Sequence, residues 1–132
     1  MKCRFCLLLA FLATFFCAAM AADGAWLKKV PDGDRARTNP YANDADAAAA
    51  GGILFHNNCA HCHGQHAEGK GSRPALKSDR IRNATDGQIA WILRNGEPFK
   101  GMPRWSSLPE AQRWQIVAYL RSLNADTSGG LQ

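Results

Sequence analysis

The densest chemistry in this chain lies in Cys59-Ala60-His61-Cys62-His63, where two thiols stand three positions apart and an imidazole follows the second. C-x-x-C-H is the attachment signature of c-type haem. The spacing lets the thiols reach two vinyl groups on one porphyrin edge while His63 projects a nitrogen at the iron from one face. For that role His63 must be neutral, and its other ring N–H needs an acceptor, normally a backbone carbonyl. Other chemistries fit less well. A thioredoxin-like pair needs a βαβ setting, and the sequence shows none. A zinc site needs four ligands, whereas Cys59, Cys62 and one of His63 or His66 supply three, with no second Cys/His pair at finger spacing. A disulfide between Cys59 and Cys62 would strain a short loop and leave His63 without a task.

A second axial ligand would decide what such an iron does. Met102 sits in Gly101-Met102-Pro103, a stiff turn well downstream of His63. A thioether ligand favours ferrous iron and raises the potential, which suits an electron carrier. Met102 as a core gap-filler is the plain alternative. His56, His61 and His66 all lie within seven residues of His63, on the same side of the chain, and read as surface histidines. If Met102 were weakly bound or displaced, the iron would be open, and the protein would be a ligand-binding or peroxidase-like haem protein instead.

These residues need a scaffold, and 132 residues allow one small domain. Residues 1–21 read as a secretory signal. Lys2 and Arg4 head an apolar run from Phe5 to Met20, shorter than the roughly 20 residues of a bilayer span, and Ala19-Met20-Ala21 fits a cleavage site. Cleavage removes three of the five cysteines and two of the three methionines, leaving Cys59, Cys62 and Met102. Residues 22–44, with Pro31-Asp32-Gly33-Asp34 and Asn39-Pro40-Tyr41, read as an irregular arm in which Trp26 and Leu27 are costly to leave wet.

Residues 45–124 carry the domain, and 125–132 read as a flexible tail. A helix is expected after Asp46, its N-cap, through Ala47, Ala50, Gly51, Leu54 and Phe55 to about Asn57. Thr85-Asp86-Gly87-Gln88 is a capping box opening a second helix that Gly96 stops. Ser107-Leu108-Pro109-Glu110 opens a third, running through Trp114, Ile116, Val117, Tyr119, Leu120 and Leu123. No stretch alternates apolar with polar residues, so the fold is expected to be all-α: three main helices separated by long loops at 58–84 and 97–106. Loops of that length in a compact domain are usually functional.

The formal net charge of +5 falls to +3 without Lys2 and Arg4, too mild to imply nucleic acid. Lys70, Arg73, Lys77, Arg80 and Arg82 form a basic stretch broken by Asp79, and Lys100 and Arg104 flank Met102. Two readings stand: a solvated loop, or charges that steer an acidic redox partner while Arg80 or Arg82 binds a haem propionate.

From about Asp44 to Leu123 the sequence resembles the class I c-type cytochromes. The resemblance implies a class I cytochrome c fold around one haem c, held by Cys59, Cys62 and His63 and ligated by His63 and Met102. Gly51-x-x-x-Phe55 resembles that family's N-terminal helix, with Tyr119-Leu120 as the answering pair on the last helix. Pro74 resembles the proline whose carbonyl accepts the histidine N–H, and Trp105 would pack on or near the haem. Leu54, Phe55, Leu76, Ile92, Trp105 and Leu120 are the expected apolar shell. Asn39-Pro40-Tyr41 and Lys100-Gly101-Met102-Pro103-x-Trp105 are similar to small soluble cytochromes that accompany quinoprotein alcohol dehydrogenases. That likeness implies a monomeric periplasmic one-electron carrier with no catalytic residues and no stable membrane insertion. Its partners would be redox proteins, a quinoprotein dehydrogenase as donor and a terminal oxidase as acceptor.

Overall fold

The structure, a computed structural model, describes residues 22–125; the leader 1–21 and tail residues 126–132 lie outside the described residues. A 3₁₀ segment, Ala22–Lys29, is followed by α1 (Asp32–Arg35), α2 (Ala45–Asn58), α3 (Ala60–His63), α4 (Asp79–Asn83), α5 (Asp86–Asn95), a 3₁₀ turn Pro98–Lys100 and α6 (Glu110–Ala125). Among these residues there is no strand, only isolated bridges at Lys70/Arg73 and Glu97/Met102. The two long loops are therefore not structureless: α3 and α4 lie in the first and the 3₁₀ turn in the second.

The local signals act much as their chemistry requires. Asp44, rather than Asp46, caps α2, with its Oδ1 accepting the Ala47 N–H at 2.9 Å. At α5 the Thr85 hydroxyl accepts the Gln88 N–H at 3.1 Å while Gln88 Oε1 accepts the Thr85 N–H at 2.8 Å. Gly96 ends that helix, and Pro109 directly precedes α6.

The frame is the crossing of α2 and α6. A Cβ on Gly51 would lie 1.9 Å from the Gln115 carbonyl oxygen, so the two backbones meet there with no room for a side chain. One turn on, Phe55 is fully buried with its ring 5.3 Å from that of Tyr119. Ile89, Ile92 and Leu93 of α5 and Trp114, Ile116, Val117 and Leu120 of α6 complete the same core.

Residues 22–44, expected to be irregular, carry two short helical segments and are packed into the domain. Trp26 and Val30 are buried in the core. A Cβ on Gly87 would lie 1.9 Å from the Asp34 carbonyl oxygen, marking close seating of α1 on α5. Buried Asn39 donates its Nδ2 to the Trp114 carbonyl at 3.0 Å, the Thr85 hydroxyl donates to the Arg35 carbonyl at 2.8 Å, and Arg37 lies 5.1 Å over the Trp114 ring and pairs with Glu110. These partners are far apart in sequence, so local pattern carries no trace of them.

Candidate functional site

A largely apolar cavity of about 220 Å³ opens between the frame and the two loops, and its wall includes Cys59, Cys62, His63, Pro74, Arg80, Met102 and Trp105. Each arrives by a simple local device. Cys59 ends α2, its N–H donating to the Phe55 carbonyl at 2.7 Å. The next turn continues helically, with the Cys62 and His63 N–H groups donating to the Cys59 carbonyl at 3.1 and 2.9 Å. Positions i, i+3 and i+4 share a helix face, which puts both thiols and the imidazole on one side. Both cysteines are unbridged. Before any attachment, burial, with Cys62 adding a smaller share, pushes the Cys59 thiol up to about 11.

The first loop presents an acceptor to His63. Lys70 and Arg73 exchange backbone hydrogen bonds at 3.0 and 3.1 Å, and the Leu76 N–H donates to the Ala67 carbonyl at 2.8 Å. Between these ties the Pro74 carbonyl lies 2.9 Å from His63 Nδ1. A carbonyl only accepts, so Nδ1 carries a hydrogen, which is the tautomer that in a neutral ring leaves the Nε2 lone pair for a metal.

The second loop is a small closed turn. Glu97 and Met102 exchange backbone hydrogen bonds at 3.0 and 3.1 Å, and the Trp105 N–H donates to the Leu93 carbonyl at 2.9 Å. Met102 and Trp105 are both half-buried. The Glu97 side chain, 15% exposed, meets Lys29 at 3.5 Å and Lys100 at 3.3 Å.

Of the residues expected at the site, Arg82 is the one the cavity leaves out. It pairs with Asp79, three residues back on α4, while Arg80 lines the cavity. Residues two apart on a helix point in nearly opposite directions, so both cannot face one cavity. In the expected shell, Phe55, Leu76, Ile92, Trp105 and Leu120 line the wall, whereas Leu54 packs against the core elsewhere. Sequence reasoning missed Trp26, Ile81 and Glu97 as wall residues. Trp26 had a signal in its size and apolarity within a polar arm. Of the basic stretch, Arg73 and Arg80 reach the cavity, and Lys70, Lys77 and Arg82 are exposed.

Two thiols and an imidazole on one helix face, with a thioether on the same apolar cavity wall, fit haem c. A zinc site has less support, since among the described residues no three His, Cys, Asp or Glu side chains gather to hold a metal ion.

Comparisons with known proteins agree. The family described as cytochrome C oxidase, cbb3-type, subunit III matches residues 46–120. Among solved structures, the chain is similar to cytochrome CL from the marine methylotrophic bacterium Methylophaga aminisulfidivorans. The identity is 32% and the TM-score 0.59, over 72% of this chain and 67% of that one. No curated protein matches significantly. With more than half its length matched by that family and its helices crossing as the glycine at position 51 demands, the chain belongs to the c-type cytochromes of class I and carries covalently bound haem c.

Proposed function

We propose that this cytochrome is a periplasmic one-electron carrier whose haem is attached through Cys59 and Cys62 and ligated by His63 and Met102. The observation that carries the reading is the His63 Nδ1 to Pro74 carbonyl contact at 2.9 Å in a cavity whose wall also holds Met102. When bound, haem c supplies a one-electron ferric/ferrous couple. The chain's own residues do the rest. Pro74 fixes the His63 tautomer and ring orientation, and Met102, on the same cavity wall, would hold the iron together with His63 and so keep a reactant from it. Phe55, Ile92, Trp105 and Leu120 keep water from the wall and so favour the less charged, reduced state. Arg80 is the side chain offered to a propionate. Export to the periplasm is supported by the leader pattern of residues 1–21. Among the described residues no helix is long and apolar enough to cross a membrane.

An electron carrier implies redox partners. The donor we propose is a quinoprotein dehydrogenase and the acceptor a terminal oxidase, a reading supported by the likeness to a methylotroph's cytochrome CL. Met102→Ala tests the ligand set. The oxidised protein should lose its far-red thioether–iron band, the reduced protein should bind carbon monoxide, and the potential should fall. An unchanged spectrum and potential would refute ligation by Met102.

A further inference from the structure

Arg73 precedes the proline that receives His63, but its side chain reaches toward the other loop. Its Nη1 donates to the Lys100 carbonyl at 2.7 Å, two residues before Met102 and 27 residues away in sequence. The same guanidinium nitrogen lies 2.7 Å from where a Cβ on Gly101 would stand, so the group packs directly on the backbone of the Met102 turn. Arg73 is itself anchored, because its backbone exchanges two hydrogen bonds with Lys70.

We propose that Arg73 is a positioning residue for Met102, so that the dipeptide Arg73-Pro74 braces both His63 and the turn that carries Met102. The proposal rests on the ligation by Met102 set out above. Glu97 and Met102 close their turn with two backbone hydrogen bonds, so residues 97–102 move together. A shift of this turn that drew the Met102 thioether back from the cavity would carry the Lys100 carbonyl with it and break its bond to Arg73. That bond is charge-assisted. Without it, the population with Met102 detached rises, and an external ligand that binds only this population binds more tightly by the same factor.

Imidazole titration of the oxidised holoprotein at one pH, read by the far-red band and the Soret shift, tests this on wild type, Arg73→Met and Arg73→Lys. Arg73→Met keeps an unbranched apolar stem and removes every donor. It should bind imidazole about tenfold more tightly, with Arg73→Lys between it and wild type and thermal unfolding nearly unchanged. Wild-type affinity in Arg73→Met, or an equal rise in both variants, overturns the brace. A wild type lacking the far-red band overturns the ligand assignment and the brace together. A wild-type band alongside unchanged imidazole affinity in Arg73→Met overturns the brace alone.

Discussion

The α2–α6 crossing and the turn at residues 97–102 rest on different physics. At the crossing, backbones meet at Gly51, and Phe55, Ile116 and Val117 are at most 1% exposed. The turn is held by a few hydrogen bonds, its Met102 is half-buried, and Phe99 at its tip stands wholly in solvent. Packed apolar surface resists change and gives way cooperatively, whereas a hydrogen-bonded turn shifts at a cost of a few bonds. The crossing thus governs whether the chain folds. On the proposed ligation by Met102, the turn governs how firmly that ligand is held, which makes it the place where redox properties can be tuned at little cost to stability.

Damage to the frame should give the largest effect. Gly51→Val puts side-chain atoms into the Gln115 carbonyl and should destabilise the protein by about 3 kcal/mol or more. Pigmented protein should accumulate poorly, and what survives should melt early. A normal melting temperature would mean the helices do not meet at Gly51.

Arg121→Met separates frame from site more finely. Arg121 on α6 pairs with Asp86 at 2.6 Å and donates to the Ile81 carbonyl at 2.7 Å and the Ala84 carbonyl at 2.5 Å, tying α6 to α4 and to the start of α5. Its loss leaves part-buried acceptors unpaired and should cost about 2 kcal/mol, lowering the melting temperature. The far-red band should stay where it is, and a shift in it would show that the frame and the axial ligand are not separable.

At the turn the order should reverse. Glu97→Gln keeps the shape and backbone bonds but removes a carboxylate from the cavity wall along with its pairs to Lys29 and Lys100. The melting temperature should move by less than about 1 kcal/mol in equivalent stability. The potential should rise by something on the order of tens of millivolts, because a nearby negative charge favours ferric iron. Voltammetry would check this, and a fall in potential would contradict it.

Much of the site was legible because its devices are local. The spacing of Cys59, Cys62 and His63 is a covalent requirement of the haem, and Met102 stands out as the one methionine among the described residues. The capping box at Thr85 and the stop at Gly96 also act within a turn. Ambiguity began where two residues could do one job. Asp44 and Asp46 are both possible caps, and the choice of Asp44 goes with the tie of its N–H to the Tyr41 carbonyl at 3.1 Å, part of how the arm enters the helix.

The sequence by itself determined the three main helices, the all-α architecture and the Cys59-x-x-Cys62-His63 attachment signature, since capping, helical periodicity and the spacing of that signature involve residues within a few positions of one another. Only the tertiary structure decided that Arg80 rather than Arg82 faces the cavity, that Trp26 closes its wall, and that Arg73 reaches Lys100. Those choices depend on where distant segments lie in space. Such positions are set by backbone approach at Gly51 and Gly87 and by the seating of Asn39 under Trp114, none of which leaves a periodic mark along the chain.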